Sequence, residues 1–208
     1  MQEHSFPPPN RSARVGAQTT VKSISKSEAR FLIEKYHYLG EKGFRFEEGY
    51  GLFFENELIG AAVYHGPSAP ETVVGAFGLP RNDQEGIWEL GRLVLESSKN
   101  GKNYGSMLIG RSIRLLRQSR NVRALITYAE GTRHYGAVYQ ATNFKYCGMS
   151  APKKDFFLVD GTKQERGKTK GIAGEWRSRP RKHRYVLVYD KSLTLKWNIQ
   201  PYPKPNEL

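Results

Sequence analysis

From Ile87 to Tyr128 the chain runs in an order that few folds accommodate. Ile87 to Leu95 (Ile-Trp-Glu-Leu-Gly-Arg-Leu-Val-Leu) is apolar enough for a strand, and a polar, glycine-containing loop over 97–106 follows. Met107, Leu108, Ile113, Leu115 and Leu116 then supply one buried face of a helix, with Arg111, Arg114, Arg117 and Arg120 around the rest. Ala124 to Tyr128 reads as a second strand. Strand, loop, helix and strand in succession predict an α/β fold with a mixed β-sheet flanked by helices.

The flanks fit one domain. Ser27 is placed to cap a helix carrying Ala29, Leu32, Ile33 and Tyr36, with Gly40 as its stop. Residues 41–48 alternate charged and aromatic side chains and read as a mobile loop. A hairpin follows, Gly49 to Phe54 up and Leu58 to His65 back, turning at Asn56. The Gly- and Pro-rich stretch 66–86 reads as a long loop with a short strand near Val73-Val74. Tyr135 to Thr142 reads as a short helix, Phe144 to Cys147 as the start of a strand, and 156–159 and 184–189 as the last two strands. Between these lies a Gly- and Lys-rich loop, 161–183, without a hydrophobic period. Residues 1–20 read as a flexible arm ahead of a domain over 21–208.

The 208 residues suffice for a single full core and are short for two. A formal net charge of +13 points first to a polyanionic partner, nucleic acid or a phosphate-rich ligand. One cysteine, Cys147, excludes an internal disulfide and a thiolate zinc cluster. Pro7-Pro8-Pro9 follows a polar opening where a signal core would be apolar, and no stretch approaches about 20 apolar residues. The expectation is a soluble protein of the cytoplasm with no membrane partner.

Two regions carry candidate chemistry on their residues alone. The loop before the arginine-rich helix can present backbone N–H groups to a phosphate, although an ordinary connection has the same composition. From Lys163 to Arg184, nine basic residues (Lys163, Arg166, Lys168, Lys170, Arg177, Arg179, Arg181, Lys182 and Arg184) against two acidic ones leave a local net of +7, with Trp176 among them. Such a segment can track phosphates and stack a base, or can simply be a solvated loop.

The order of elements resembles the GNAT (Gcn5-related N-acetyltransferase) superfamily, as does Tyr139-Gln140-Ala141-Thr142-Asn143-Phe144. That resemblance implies an acyl-CoA, here acetyl-CoA or another acyl donor, held by Leu93 and Leu95 of the strand and by Lys102, Asn103, Tyr104, Gly105 and Ser106 of the loop. Met107 stands where the usual loop motif has a small residue. A narrower resemblance, to the Mom family of phage DNA-modification proteins, spans residues 37–185. It is carried by His37-Tyr38-Leu39-Gly40, Glu89-Leu90-Gly91-Arg92-Leu93, Asn103, Ser106, Tyr128-Ala129-Glu130, His134-x-Gly136-x-x-Tyr139-Gln140-Ala141-x-Asn143-Phe144 and Lys182-His183-Arg184-Tyr185. Mom proteins typically carry Asp where this chain has Glu130.

The Mom resemblance implies conversion of adenine in double-stranded DNA to N6-carbamoylmethyl (acetamido) adenine, shielding phage DNA from host restriction. The added group joins N6 through a methylene carbon, so attack on a thioester carbonyl, which gives an amide, cannot by itself produce it. The family also implies iron as a possible cofactor. The implied catalytic set is His37 as base or metal ligand, Tyr38 as proton donor or stacking partner, Arg92 on an anion or carbonyl, Glu130 as base or amine-orienting group, and Tyr139 as the acid that protonates a departing thiolate. Regular strand alternation puts Glu89 and Arg92 on opposite faces. His134 and His183 match no compact ligand spacing with His37. Reaching a paired adenine N6 requires base flipping, with Trp176, Phe44 or Phe46 as wedge. Two alternatives stay open: a conventional GNAT N-acetyltransferase acting on a protein, RNA or small-molecule amine, and a nucleic-acid-binding protein of the same fold without chemistry.

Overall fold

In a computed structural model that describes residues 19–99 and 103–204, ten strands form two sheets. The larger takes β1 (Thr19–Ser23), β2 (Glu48–Phe54), β3 (Glu57–His65), β4 (Ile87–Leu95), β5 (Ala124–Glu130), β10 (Lys182–Val188) and β6 (Lys145–Met149), in that spatial order. Its pairs are antiparallel except β4 with β5, which run parallel. The smaller sheet orders β8 (Lys163–Gln164), β7 (Lys153–Leu158) and β9 (Gly174–Arg179). β1 begins at Thr19, inside the segment read as an arm, while residues 1–18 lie outside the described residues.

Helices cover both faces of the large sheet. α1 (Lys26–Tyr36) packs Ala29, Leu32 and Ile33 on Phe53, Ala61, Val63 and Val94. Its cap is Ser25, not Ser27: Glu28 N donates to Ser25 Oγ at 3.2 Å, and Ser25 N donates to Glu28 Oε2 at 2.7 Å. It ends at His37 rather than running to Gly40, because His37 takes an extended conformation. α2 (Pro70–Phe77) replaces the loop and short strand read over 66–86. Proline in its first turn and left-handed Gly78 (φ 73°) after its end bracket it, and Val73, Ala76 and Phe77 are buried. α3 (Tyr104–Ser119) fills the opposite face with Leu108, Ile109, Ile113 and Leu116, and α4 (Ala137–Gln140) follows β5.

The hairpin turns on Glu55 and Asn56, both at positive φ, as a two-residue connection of this hand requires. Residues 44–46 are not free: Phe44 and Phe46 are half-buried against the α1 core. The segment 161–183 is not a loop throughout. β9 pairs with β7 from Arg179 opposite Lys153 to Gly174 opposite Leu158. All six β9 residues are exposed, so the strand has no apolar alternation to betray it.

A cleft at the parting of two parallel strands

β4 and β5 pair only from Ile87–Ala124 to Leu90–Thr127. Beyond that point β4 stays with β3 as far as Leu95, β5 stays with β10 as far as Glu130, and the two strands part. Thr127 Oγ1 donates to Leu90 O at 3.0 Å where the pairing ends. The gap is a cleft of about 300 Å³ lined by His37, Tyr38, Glu89, Gly91 to Leu95, Tyr128, His134, Val138, Tyr139 and Lys182. A depression of about 560 Å³ around Gly86, Trp88 and Arg120 lies at the far end of β4 and holds none of these groups.

One glycine decides which side chains enter the cleft. Val63 pairs with Arg92 and Tyr64 with Leu90, so Gly91 is an extra residue in β4, a β-bulge. The bulge reverses the alternation. Ile87 and Val94, seven apart, both pack on the α1–α2 face, and Glu89 and Arg92, three apart, share that face instead of opposing each other. A β-carbon at position 91 would overlap the buried ring of His65, so glycine is required there.

Arg92 is fixed from two sides: Nη1 donates to Gly91 O at 2.8 Å and Nη2 to Lys42 O at 2.7 Å. Its Nε, among the described residues, is the buried side-chain nitrogen or oxygen left without a partner. An unsatisfied buried donor costs about 1–3 kcal/mol, so the site is suited to an incoming acceptor. His37 stacks on Tyr38 with ring centroids 4.6 Å apart, and its Nδ1 accepts from Leu39 N at 3.2 Å. A ring accepting at Nδ1 carries its proton on Nε2 when neutral, so His37 offers a donor rather than a base to the cleft. Burial, then the Arg92 and His134 charges, hold its pKa down at about 4 and keep it neutral near pH 7. Burial and the adjoining Glu130 carboxylate push Tyr38 up to about 12, so it too keeps its proton.

The other expected residues are placed as follows. Glu130 does not line the cleft. It stands behind Tyr38, 3.5 Å from Arg133 Nε, and the Arg133 guanidinium lies 4.6 Å from the centre of the Tyr38 ring. Tyr139 reaches the cleft from α4 as a buried ring against Phe144 and Tyr185, its pKa raised by burial. Leu93 and Leu95 line the cleft on the edge of β4 that β5 has left. Asn103 and Ser106 line a separate groove beside α3, where Ser106 Oγ donates to Asn103 O at 3.0 Å. Tyr104 is turned into the core against Phe54, so its ring is not available to a cofactor, and Gly105 packs on Val138. Lys102 lies outside the described residues.

Lys182, read from sequence as part of a DNA-binding run, is a cleft residue opposite Glu130 in the β10–β5 register. Burial lowers its pKa. Arg184 is half-buried, with Nη2 donating to Cys147 O at 2.7 Å and the guanidinium 4.5 Å from the Trp197 ring centre, so it ties β10 to β6. Trp176, Arg177, Arg179 and Arg181 are exposed, as are Lys163, Lys168 and Lys170, and Arg166 opens a short 3₁₀ turn. His183 points away from the cleft and bonds Tyr146 through Nδ1 at 2.9 Å. Among the described residues no group of three or more His, Cys, Asp or Glu side chains is placed to hold a metal ion, so the residues present do not fit an iron centre. Glu89 and Lys182 as cleft partners escaped the sequence because the first depends on the bulge and the second on where β10 begins.

A seven-stranded mixed sheet whose one parallel pair splays over a polar cleft places the chain in the GNAT acetyltransferase fold. Solved structures agree: IAA acetyltransferase from Bacillus cereus superposes with a TM-score of 0.52 at 12% identity, over 82% of this chain and 99% of that one. The ribosomal-protein-S18-alanine N-acetyltransferase of Escherichia coli gives 0.50 at 13% identity, over 82% and 93%. No curated protein matches the chain in sequence. A family model described as the Mom protein family matches residues 18–204, and the chain belongs to that family. Among the described residues no helix is long and apolar enough to cross a membrane.

Proposed function

We propose that this protein is a DNA-modifying transferase that converts adenine in double-stranded DNA to N6-carbamoylmethyl adenine, as part of phage defence against restriction in the host cytoplasm. The observation that carries the reading is the buried, unbonded Nε of Arg92 beside the neutral His37 ring and Tyr38, in a chain of the Mom family.

Residues that would hold an acyl-CoA are present. From Gly91 to Leu95 one edge of β4 is released by β5, and such an edge suits an extended amide chain. The first turn of α3 offers N–H groups without intrahelical acceptors, which suit a pyrophosphate. Such a donor would supply an acyl group activated at its carbonyl. The methylene bond to N6 requires in addition either a two-electron oxidant and an amide nitrogen, or a glycine-amide-like unit that replaces the exocyclic amine with release of ammonia.

The chain's own groups act around that carbonyl. Arg92 Nε and His37 Nε2–H donate to a carbonyl oxygen and favour negative charge developing there. Glu130, paired with Arg133 behind the cleft wall, holds the Tyr38 hydroxyl, which orients the exocyclic amine. Glu89, fixed by Ser68 N at 2.9 Å, and Lys182 close the face from which the acceptor enters. Tyr139, which keeps its proton, stands at the floor where β4 and β5 part.

Mass spectrometry of nucleosides digested from DNA of cells expressing the chain, beside an Arg92→Ala control, tests the proposal. A deoxyadenosine with an acetamido-sized addition, absent from the control, is the expected result. Unmodified deoxyadenosine from a folded, expressed protein would instead favour acetyl transfer to another amine, the reaction named for the ribosomal-protein-S18-alanine N-acetyltransferase that shares this fold.

A further inference from the structure

Residues 153–179 form an arm whose root meets the wall of the cleft at Lys182. At its root Ser150 N donates to Lys182 O at 2.7 Å, Lys182 N donates to Ser150 Oγ at 2.9 Å, and Arg181 Nε donates to Ser150 O at 2.7 Å. Lys182 itself lines the cleft. Trp176 is six residues before it, at most about 20 Å of extended chain, the length of about six base pairs at 3.4 Å each.

The arm is basic along its length and apolar at defined points. Eight basic side chains face four acidic ones over 153–179. Arg177 and Arg179 lie on one face of β9. Arg177 forms an exposed, exchangeable pair with Glu175 at 2.6 Å, and Arg179 stands 3.9 Å from buried Asp155, which Lys163 already holds at 2.6 Å. On the other face the indole of Trp176 is 47% exposed and propped edge-on by buried Phe156, ring centroids 5.3 Å apart. Val159 (85%) and Ile172 (41%) are exposed beyond the strand ends. Phe44 and Phe46 are packed against the core, which leaves Trp176 as the exposed one of the three wedge candidates.

A two-stranded β-ribbon enters the major groove, and β7 with β9 is such a pair apart from the two residues of β8. Apolar wedges inserted between base steps part stacked bases. We propose that the arm lies along a groove of the duplex, with Arg177 and Arg179 on phosphates and Trp176 occupying the stacking place of the adenine turned out into the cleft. This rests on the adenine-modifying reading above and assigns to the arm the grip on the duplex and the opening of the base pair.

The experiment separates the two. Binding of the full chain and its variants to a fluorescent 30-base-pair duplex is followed by anisotropy over a salt series, and modification of double- and single-stranded DNA is read by nucleoside mass spectrometry. The Arg177→Gln/Arg179→Gln double variant is expected to lower the magnitude of the slope of log K against log salt by about 1.8. Unchanged affinity and slope would overturn the grip. Trp176→Ala is expected to lose at least tenfold of duplex modification while keeping single-stranded modification within about twofold, and Trp176→Phe to restore most of the loss. Equal loss on both substrates, or no loss, would overturn the wedge. A wild-type chain that binds duplex through the arm but leaves no product would sink the adenine reading and leave the grip standing. Capture of an acidic protein in preference to DNA at equal salt would refute the arm proposal outright.

Discussion

Arg92 and Arg177 carry the same guanidinium in opposite settings. Arg92 is held by two backbone carbonyls with its third nitrogen buried and unbonded, whereas Arg177 bonds a glutamate two residues away on an exposed strand. The first arrangement fixes a donor where charge would develop, and the second keeps a cation free to exchange partners. The cleft is accordingly sensitive to single atoms, while the arm acts by summed charge and one ring. Changes that tell these apart test the division directly.

The largest effect is expected at Arg92. Removal of a preorganised donor of this kind costs about 100- to 1,000-fold in turnover. Arg92→Ala should lose at least that much product by nucleoside mass spectrometry, with duplex affinity by anisotropy kept within about twofold. A parallel fall in affinity would break the comparison, because the cleft would then be part of the grip.

Gly91→Ala comes next. Its β-carbon would press on the His65 ring, and overpacking of this kind costs about 1–3 kcal/mol of stability, read as a shift in the urea midpoint. Gly167→Ala, on the arm, meets nothing within 4 Å and should stay within about 0.5 kcal/mol of wild type. Equal effects at the two glycines would show that the bulge is not a tight fit.

Much of the fold was legible because apolar periodicity is local. The hairpin, β4, α3 and β5 follow from it with ends within a few residues of those observed. α2 was hidden because Val73-Val74 suggests a strand, while the features that make the helix, Pro70 and left-handed Gly78, act at its ends. β9 was hidden because nothing in it is buried. His37, Tyr38, Arg92 and Tyr139 do meet in one cleft, but alternation put Glu89 and Arg92 apart, and only the pairing of β3 with β4 reveals the extra residue at Gly91. Composition likewise joined Lys182 and Arg184 to the basic run, although one lines the cleft and the other braces β10 against β6.

The cleft histidine should also shape the response to acid. The folded pKa of His37 is about 4, below the ordinary value near 6.5. As pH falls from about 6.5 towards 4 the unfolded chain binds the proton and the folded one does not, so stability is full above that window and declines through it. His134 and His183, also lowered by burial, add in the same direction. Urea midpoints at pH 7 and pH 4.5 should therefore fall less in His37→Asn than in wild type, without becoming equal. An unchanged fall would mean that His37 titrates normally and that its ring is not neutral in the cleft for the reason given.

The smallest expected effect belongs to the arm. Lys168 pairs with Glu165 at 2.9 Å with both side chains largely exposed, and such pairs are worth about 0–1 kcal/mol. Lys168→Ala should leave the urea midpoint within error and lower the magnitude of the salt slope of duplex binding by at most about 0.9, the share of one phosphate contact. The value distinguishes two pictures of the arm. A fall near 0.9 extends the grip past β9 to the turn after β8, whereas no fall confines it to Arg177 and Arg179 on the ribbon itself. Either result leaves cleft chemistry untouched, so loss of product in Lys168→Ala at saturating DNA would show that arm and cleft are coupled rather than divided.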